Sequence, residues 1–93
     1  MKEFNLQEEK GLIWIGDRNR PDAYLSYTVD YHNQMAIRHT VVQKELEGQG
    51  IAKLLTEKAI EVARREGYTI DPICSYARHY FRKYPEHKDL VVK

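Results

Sequence analysis

Between Val41 and Leu54 the apolar residues change period, and two glycines mark the change. Before them, Met35, Ile37, His39 and Val41 alternate as on one face of a strand. After them, Ile51, Leu54, Leu55, Ala59, Val62 and Ala63 recur at helical spacing. The link is Glu47-Gly48-Gln49-Gly50-Ile51-Ala52. Two glycines one residue apart free the backbone to turn tightly and let a ligand approach closely. The following helix leaves its first N–H groups without intrahelical partners and carries partial positive charge at that end. Together these features form a seat for phosphate. An ordinary glycine turn before a helix shares the pattern, so the turn alone leaves that alternative open.

The flanking elements define the setting. Leu12-Ile13-Trp14-Ile15 reads as a short strand ended by Gly16-Asp17. Arg18 to Asp22, with Pro21, reads as a loop. Tyr24 to Tyr31 is a second strand, with Leu25, Tyr27, Val29 and Tyr31 on one face. His32-Asn33-Gln34 connects it to a third, Met35 to Val42. Gly67 closes the long helix behind Arg64-Arg65-Glu66. Tyr68 to Cys74 is a fourth strand that Pro72 must disturb, at an edge or a bulge, because proline lacks the ladder N–H. Ser75 to Tyr84 is a second helix bounded by Pro85. Glu86 to Lys93 reads as a tail anchored by Leu90-Val91-Val92. The expected fold is α/β (α+β): an antiparallel meander followed by β-α-β-α, with about four strands and two helices.

At 93 residues one domain, 1–93, is the natural expectation. Fifteen Lys and Arg against fourteen Asp and Glu argue against bulk electrostatic binding of nucleic acid or an anionic membrane. Cys74 is the only cysteine, which fits a reducing interior and a soluble, cytoplasmic protein. No apolar run approaches the roughly 20 residues of a membrane span. The four histidines are too scattered for a recognisable metal site.

The run His39-Thr40-Val41-Val42 followed by Glu45-Leu46-Glu47-Gly48-Gln49-Gly50-Ile51-Ala52-Lys53-Leu54-Leu55 resembles the acetyl-CoA site of the GNAT superfamily of N-acetyltransferases. With Pro72-Ile73-Cys74-Ser75-Tyr76 and the Arg82-Lys83-Tyr84-Pro85 helix end, the chain is similar to the small single-domain, YjdJ-like branch over roughly residues 10 to 92. The resemblance implies a minimal GNAT fold and transfer of an acetyl group from acetyl-CoA to an amine. It implies that Val41, Val42 and Gln43 border the pantetheine arm and that Glu47, Gly48, Gln49, Gly50, Ile51 and Ala52 wrap the pyrophosphate. Glu47 stands where the superfamily usually has Arg or Gln, so its carboxylate is expected to point outward.

Acetyl transfer needs a neutral amine, a donor to the tetrahedral oxyanion and a proton for the departing thiolate. Many GNAT enzymes take that proton from a Tyr on the last helix, a position filled here by Phe81. Tyr80 lies one step away, about 100° of helical rotation, and is a weak candidate for the acid; a partly buried aromatic with its hydroxyl at the surface is the favoured alternative. Cys74 is expected near the cofactor's sulfur, to protonate the leaving thiolate or accept the acetyl group; a small buried apolar side chain is the alternative. His39 is a candidate base, or a structural histidine. The basic C-terminal residues Arg78, His79, Arg82, Lys83, His87 and Lys88 read as a solvated helix face, with the cofactor's phosphates as the other possible partner. The two helices that larger relatives insert after the first strand are missing, so the acceptor groove is open and suits a protein or peptide amine. The acceptor itself is not identified. A module that binds acetyl-CoA without efficient transfer is the alternative function, and a small RNA- or protein-interaction domain fits the near-neutral charge less well.

Overall fold

The computed structural model describes residues 4–92. Its sheet runs β1 (Leu6–Glu9), β2 (Leu12–Asp17), β3 (Arg20–Val29), β4 (Gln34–Val42) and β5 (Thr69–Pro72), in that spatial order. The first four strands form the expected antiparallel meander, and β5 joins β4 in parallel after the crossover through α1 (Ile51–Glu66). A second helix, α2 (Ser75–Lys83), follows.

Cross-strand rows show which side chains share a face. Leu6, Ile15, Ala23 and Val42 form one row, and Glu8, Ile13, Leu25 and Thr40 another. These rows belong to the helix side. Ile13, Ile15, Ala23, Leu25, Met35 and Ile37 join one buried cluster with Ile51, Leu55, Ala59, Ile60, Val62 and Ala63 of α1 and Ala77, Tyr80 and Phe81 of α2. The intervening rows, Gln7-Trp14-Tyr24-Val41 and Glu9-Leu12-Ser26-His39, face the other way.

Several expectations need correction. Among the described residues there are five strands where about four were expected: Leu6-Gln7-Glu8-Glu9 forms an edge strand. Arg20 to Asp22 is strand rather than loop, because Asp17 and Arg20 already pair around a tight turn capped by Asn19 N–H donating to the Asp17 carboxylate. Proline is tolerated there because Asp22 is an extra residue against β2, where regular pairing is interrupted. Tyr31 does not share the face of Leu25 and Tyr27; it sits in the turn after β3 and is 91% exposed.

The most consequential correction lies in β4. Ser26 pairs with His39 and Tyr27 with Ile37, so Arg38 is an extra residue opposite no partner. Such a bulge inverts the alternation. Met35 and Ile37 point into the core, but beyond the bulge Thr40 and Val42 take the core side. His39 and Val41 share a face with each other, not with Ile37 as the uninterrupted pattern predicts.

Both helices end as the sequence predicts. Gly67 adopts a left-handed conformation (φ 78°) after Glu66, satisfying the Ala63 carbonyl. The tail is tied down: Ile70 N–H donates to Leu90 O at 2.7 Å and Val92 N–H to Ile70 O at 2.8 Å. Val91 thereby pairs along the outer edge of β5.

Glu8 fastens the edge strand to α1, with Arg65 at 2.6 Å and Lys58 at 3.4 Å. The Arg65 hydrogen bond holds the Glu8 carboxyl below its ordinary range against the opposing effect of desolvation, and Lys58 adds to it. A carboxylate with a lowered folded-state pKa stabilises fully above its unfolded pKa, and that contribution is lost as pH falls through the folded value. Glu8→Gln should therefore lower the thermal midpoint at neutral pH, and the difference from the parent should vanish in strong acid. Equal midpoints at neutral pH would show that the clamp contributes nothing.

Candidate functional site

The site begins where β4 and β5 part. Their pairing covers only Gln34–Ile37 against Thr69–Pro72. Past Pro72 the chain makes one last double contact: Ile73 and Cys74 both donate their N–H to Ile37 O, at 3.1 and 3.0 Å. Cys74 then caps α2, its sulfur accepting the Ala77 N–H at 3.4 Å. Arg38 to Val42 continue without a strand on that side. A wedge opens between them and the start of α2. Thr40 Oγ1 lies 3.5 Å from Cys74 Sγ, spanning the wedge.

At the other end of this β4 segment the glycine turn is held firmly. Gln43 N–H donates to Asp22 O at 3.0 Å, and the Gln43 amide donates to Pro21 O at 3.1 Å. A single 3-10 turn, Lys44–Leu46, leads into Gly48 and Gly50, whose φ values are 84° and 75°. Only glycine adopts these angles at no cost. A Cβ built at either glycine would meet nothing within 4 Å, so backbone conformation, not crowding, demands them. The space above the turn is open. Gly50 caps α1, and the N–H groups of Ile51, Ala52 and Lys53 precede the first helical partner bond, Leu54 N–H to Gly50 O at 3.1 Å.

A cleft of about 260 Å³ lies against this turn, lined by Val42, Leu46, Glu47, Gly48, Gly50, Ile51, Ala52, Lys53 and Tyr76. Its composition is graded. Glycine and helix N–H groups sit at one side; Val42, Leu46 and the Tyr76 ring supply apolar wall. That suits a ligand with anionic groups at one end and a thin, mostly apolar arm.

Of the residues expected to bind the cofactor, Val42, Glu47, Gly48, Gly50, Ile51 and Ala52 line the cleft. Val41 points to the outer face and is 42% exposed. Gln43 spends its side chain on Pro21 O, and Gln49 stands exposed in the turn. The Glu47 side chain is exposed, as its charge requires. Sequence reasoning missed Leu46, Lys53 and Tyr76 as lining residues. Helical spacing puts Tyr76 on the face of Tyr80, one turn earlier, but does not tell that this face borders the cleft.

The expected catalytic residues separate. Cys74 is at the wedge. His39 is exposed on the outer face, one strand position from Thr40, because the Arg38 bulge turns it away. Tyr80 is only 3% exposed. Its ring is packed against Tyr84 at 4.6 Å, Phe81 at 5.2 Å and Tyr76 at 6.3 Å between centroids. Burial, reinforced by the Glu57 charge, pushes the Tyr80 phenol up to about 12. Burial also raises Tyr76, with Tyr84 and Glu57 adding to it. Both phenols therefore hold their protons at neutral pH, but Tyr76 is the one that lines the cleft. Phe81 is core, 8% exposed.

The splayed parallel pair, the glycine turn and the helix N-terminus between them match a known family. The family model of GCN5-related N-acetyl-transferases matches residues 12–90, and the chain belongs to that family. Among solved structures, a GCN5-like candidate N-acetyltransferase from Staphylococcus aureus is 31% identical, with a TM-score of 0.79 over 99% of this chain and 91% of that one. Two larger proteins of Escherichia coli share the fold at 17% identity. One is the GNAT-family protein YhbS, solved in complex with CoA, with a TM-score of 0.54 over 63% of this chain and 37% of that one. The other is the ribosomal-protein-S18-alanine N-acetyltransferase, with a TM-score of 0.57 over 69% of this chain and 42% of that one. No curated protein matches the chain.

The placement of Tyr80 yields a stability test. Tyr80→Phe keeps the buried ring and removes a hydroxyl that makes no hydrogen bond among the described residues, so it should cost less than about 1 kcal/mol, the usual net worth of one such bond. Tyr80→Ala should cost about 3–5 kcal/mol, as for other large aromatic truncations in cores. Urea denaturation of both variants checks this. A Tyr80→Ala protein of parental stability would mean that the ring does not hold α2 to α1.

Proposed function

We propose that this chain moves an acetyl group from acetyl-CoA to an amine carried on a protein or peptide. The observation that carries this reading is the continuity of the site. The cleft at the glycine turn is lined by Val42, two residues after Thr40 on the free segment of β4, and by Tyr76, two residues after Cys74, so the phosphate seat and the Thr40–Cys74 pair sit on the same two elements. Family membership supports the reaction class. The open backbone N–H groups at Gly48 to Lys53 suit a pyrophosphate. The unpaired edge of β4 suits an amide-bearing arm, which would pair with it as a strand does.

Acetyl transfer breaks the thioester C–S bond and forms a C–N bond to the amine. Cys74 divides this into two easier steps. Its sulfur attacks the carbonyl; the thioester C–S bond breaks, and the coenzyme departs as a thiol with the proton that Cys74 gave up. The neutral amine then attacks the acetyl-cysteine, the amide forms, and a proton returns to Sγ. Thr40 Oγ1 and the Ala77 N–H hold Sγ in place for both steps. Tyr76, protonated and at the cleft wall, is the residue of α2 placed to donate a hydrogen bond there. On the outer face the wedge is flanked by exposed Val41 and by Ile73, 39% exposed. That open, partly apolar mouth suits a large acceptor better than an enclosed small molecule. The lone cysteine fits action in a reducing, cytoplasmic setting.

One observation favours the second reading, a module that binds acetyl-CoA with little transfer. The position that commonly supplies an acid holds Phe81, and it is in the core. A general acid is typically worth 10²–10⁴-fold in rate, so its loss would be felt.

Calorimetry with acetyl-CoA and CoA, followed by transfer assays on peptide amines, separates these readings. Cys74→Ala should bind acetyl-CoA like the parent and lose transfer by at least about 10²-fold, the scale expected when a nucleophile or general acid is removed. Mass spectrometry of the parent should find one acetyl group on Cys74 before amine is added. Full transfer by Cys74→Ala would reduce the residue to packing. Gly50→Val places a β-branched residue at φ 75°, where such residues are genuine outliers. It should weaken acetyl-CoA binding by about tenfold or more, the equivalent of 1.4 kcal/mol. Unchanged affinity in a folded Gly50→Val protein would remove the turn from the site.

A further inference from the structure

Lys53 is in the wrong place for a helix left to itself. It sits in the first turn of α1, where the dipole disfavours a cation, and that turn contains no acidic residue. Lys53 is a residue of the cleft wall, and its ammonium lies 5.2 Å from the centroid of the Tyr84 ring. Lys83, from the last turn of α2, brings a second ammonium to 5.7 Å from the same ring. Lys83 alone is unremarkable, since a cation complements the end of α2. The pair is not. Two like charges are gathered on one aromatic ring, and among the described residues neither has a carboxylate within ion-pair distance. Glu57, one turn beyond Lys53, and Glu86 act on the nearby Tyr80 phenol, yet neither neutralises the two lysines.

We infer that Lys53 and Lys83, positioned by Tyr84, form a second anion seat beside the glycine turn, and that its ligand is the 3′-phosphate of the coenzyme's adenosine. The inference rests on the cofactor reading above. The coenzyme has a group that such a seat would suit. The glycine turn has N–H groups for the pyrophosphate, but the coenzyme carries a further phosphate monoester on its ribose, with charge of about −1.5 to −2 near neutral pH. That group lies just beyond the pyrophosphate. Lys53 stands at the same margin of the cleft, on the residue after Ala52. Lysine suits the task, being a compact point charge on a long stem that recognises a monoester without demanding fixed geometry. The Tyr84 ring restrains both stems near itself through cation–π contact. A bound dianion would relieve the Lys53–Lys83 repulsion and the clash of Lys53 with the α1 dipole together.

The test compares CoA with 3′-dephospho-CoA, two ligands that share the pyrophosphate and the pantetheine arm. Titration calorimetry at one fixed, low ionic strength gives both affinities. The parent protein should bind CoA about tenfold or more tightly than dephospho-CoA, in keeping with charge-assisted contacts to phosphate. The double variant Lys53→Met, Lys83→Met replaces surface side chains by apolar stems of similar length, and its thermal midpoint confirms that it is folded. In that variant the two affinities should become equal. Equal binding of the two ligands by the parent, or a ratio preserved in the double variant, overturns this inference and leaves the cofactor reading standing. Binding of neither ligand by the parent overturns the cofactor reading and this inference with it.

Discussion

The geometry of the site depends on one carbonyl. Ile37 O accepts from both Ile73 and Cys74, at 3.1 and 3.0 Å, and after it β4 and β5 have no further bond. Pro72 makes the parting abrupt because it cannot extend the ladder. Arg38 is bulged out on the neighbouring residue of β4, so the strand re-registers where the wedge opens. The two irregularities are complementary. One frees the edge of β4, and the other rotates Thr40 toward the freed side while turning His39 away. Without the bulge, His39 would face Cys74; with it, a hydroxyl does.

Everything around the wedge is tightly determined. The floor consists of Met35, Ile37 and Ile70, all fully buried, beneath α1 and α2. The Val91 pairing covers the outer edge of β5, which would otherwise present open backbone groups. Glu8 ties the opposite edge of the sheet to α1. Rigid elements thus flank a short segment, Arg38 to Lys53, which keeps one edge of β4 and the N–H groups from Gly48 to Lys53 for a ligand. Such an arrangement limits the ordering cost of binding.

Much of this was legible in the residues. The change of period at Gly48-Gly50, the stop at Gly67 and the disturbance at Pro72 each have a local physical cause, and the structure follows them. Leu6 to Glu9 escaped because an edge strand with one apolar position and two glutamates has no pattern of its own; it is recruited by pairing with β2. Arg20 to Asp22 escaped for a similar reason, since a polar, proline-bearing stretch becomes strand only once the hairpin brings β2 beside it. The bulge is the deeper miss. Nothing in Met35-Ala36-Ile37-Arg38-His39-Thr40 signals an extra residue, because the shift is set by how β3 and β4 pair. It decided which of His39 and Thr40 meets Cys74. Lys53 and Tyr76 were hidden in a different way. Their place in the cleft depends on α1 and α2 lying side by side, a tertiary fact that helical spacing alone does not contain.

The central claim is that the segment from β4 through the glycine turn is a cofactor seat. It is tested most directly by nuclear magnetic resonance of the nitrogen-15-labelled protein titrated with acetyl-CoA. The account predicts that the largest amide shifts fall on Gly48 to Lys53, with a second group at Thr40 to Val42 and at Cys74 to Tyr76, while the β1–β2 hairpin stays unmoved. Shifts centred on the outer face around Trp14 and Tyr24, or no shifts at saturating ligand, would contradict it.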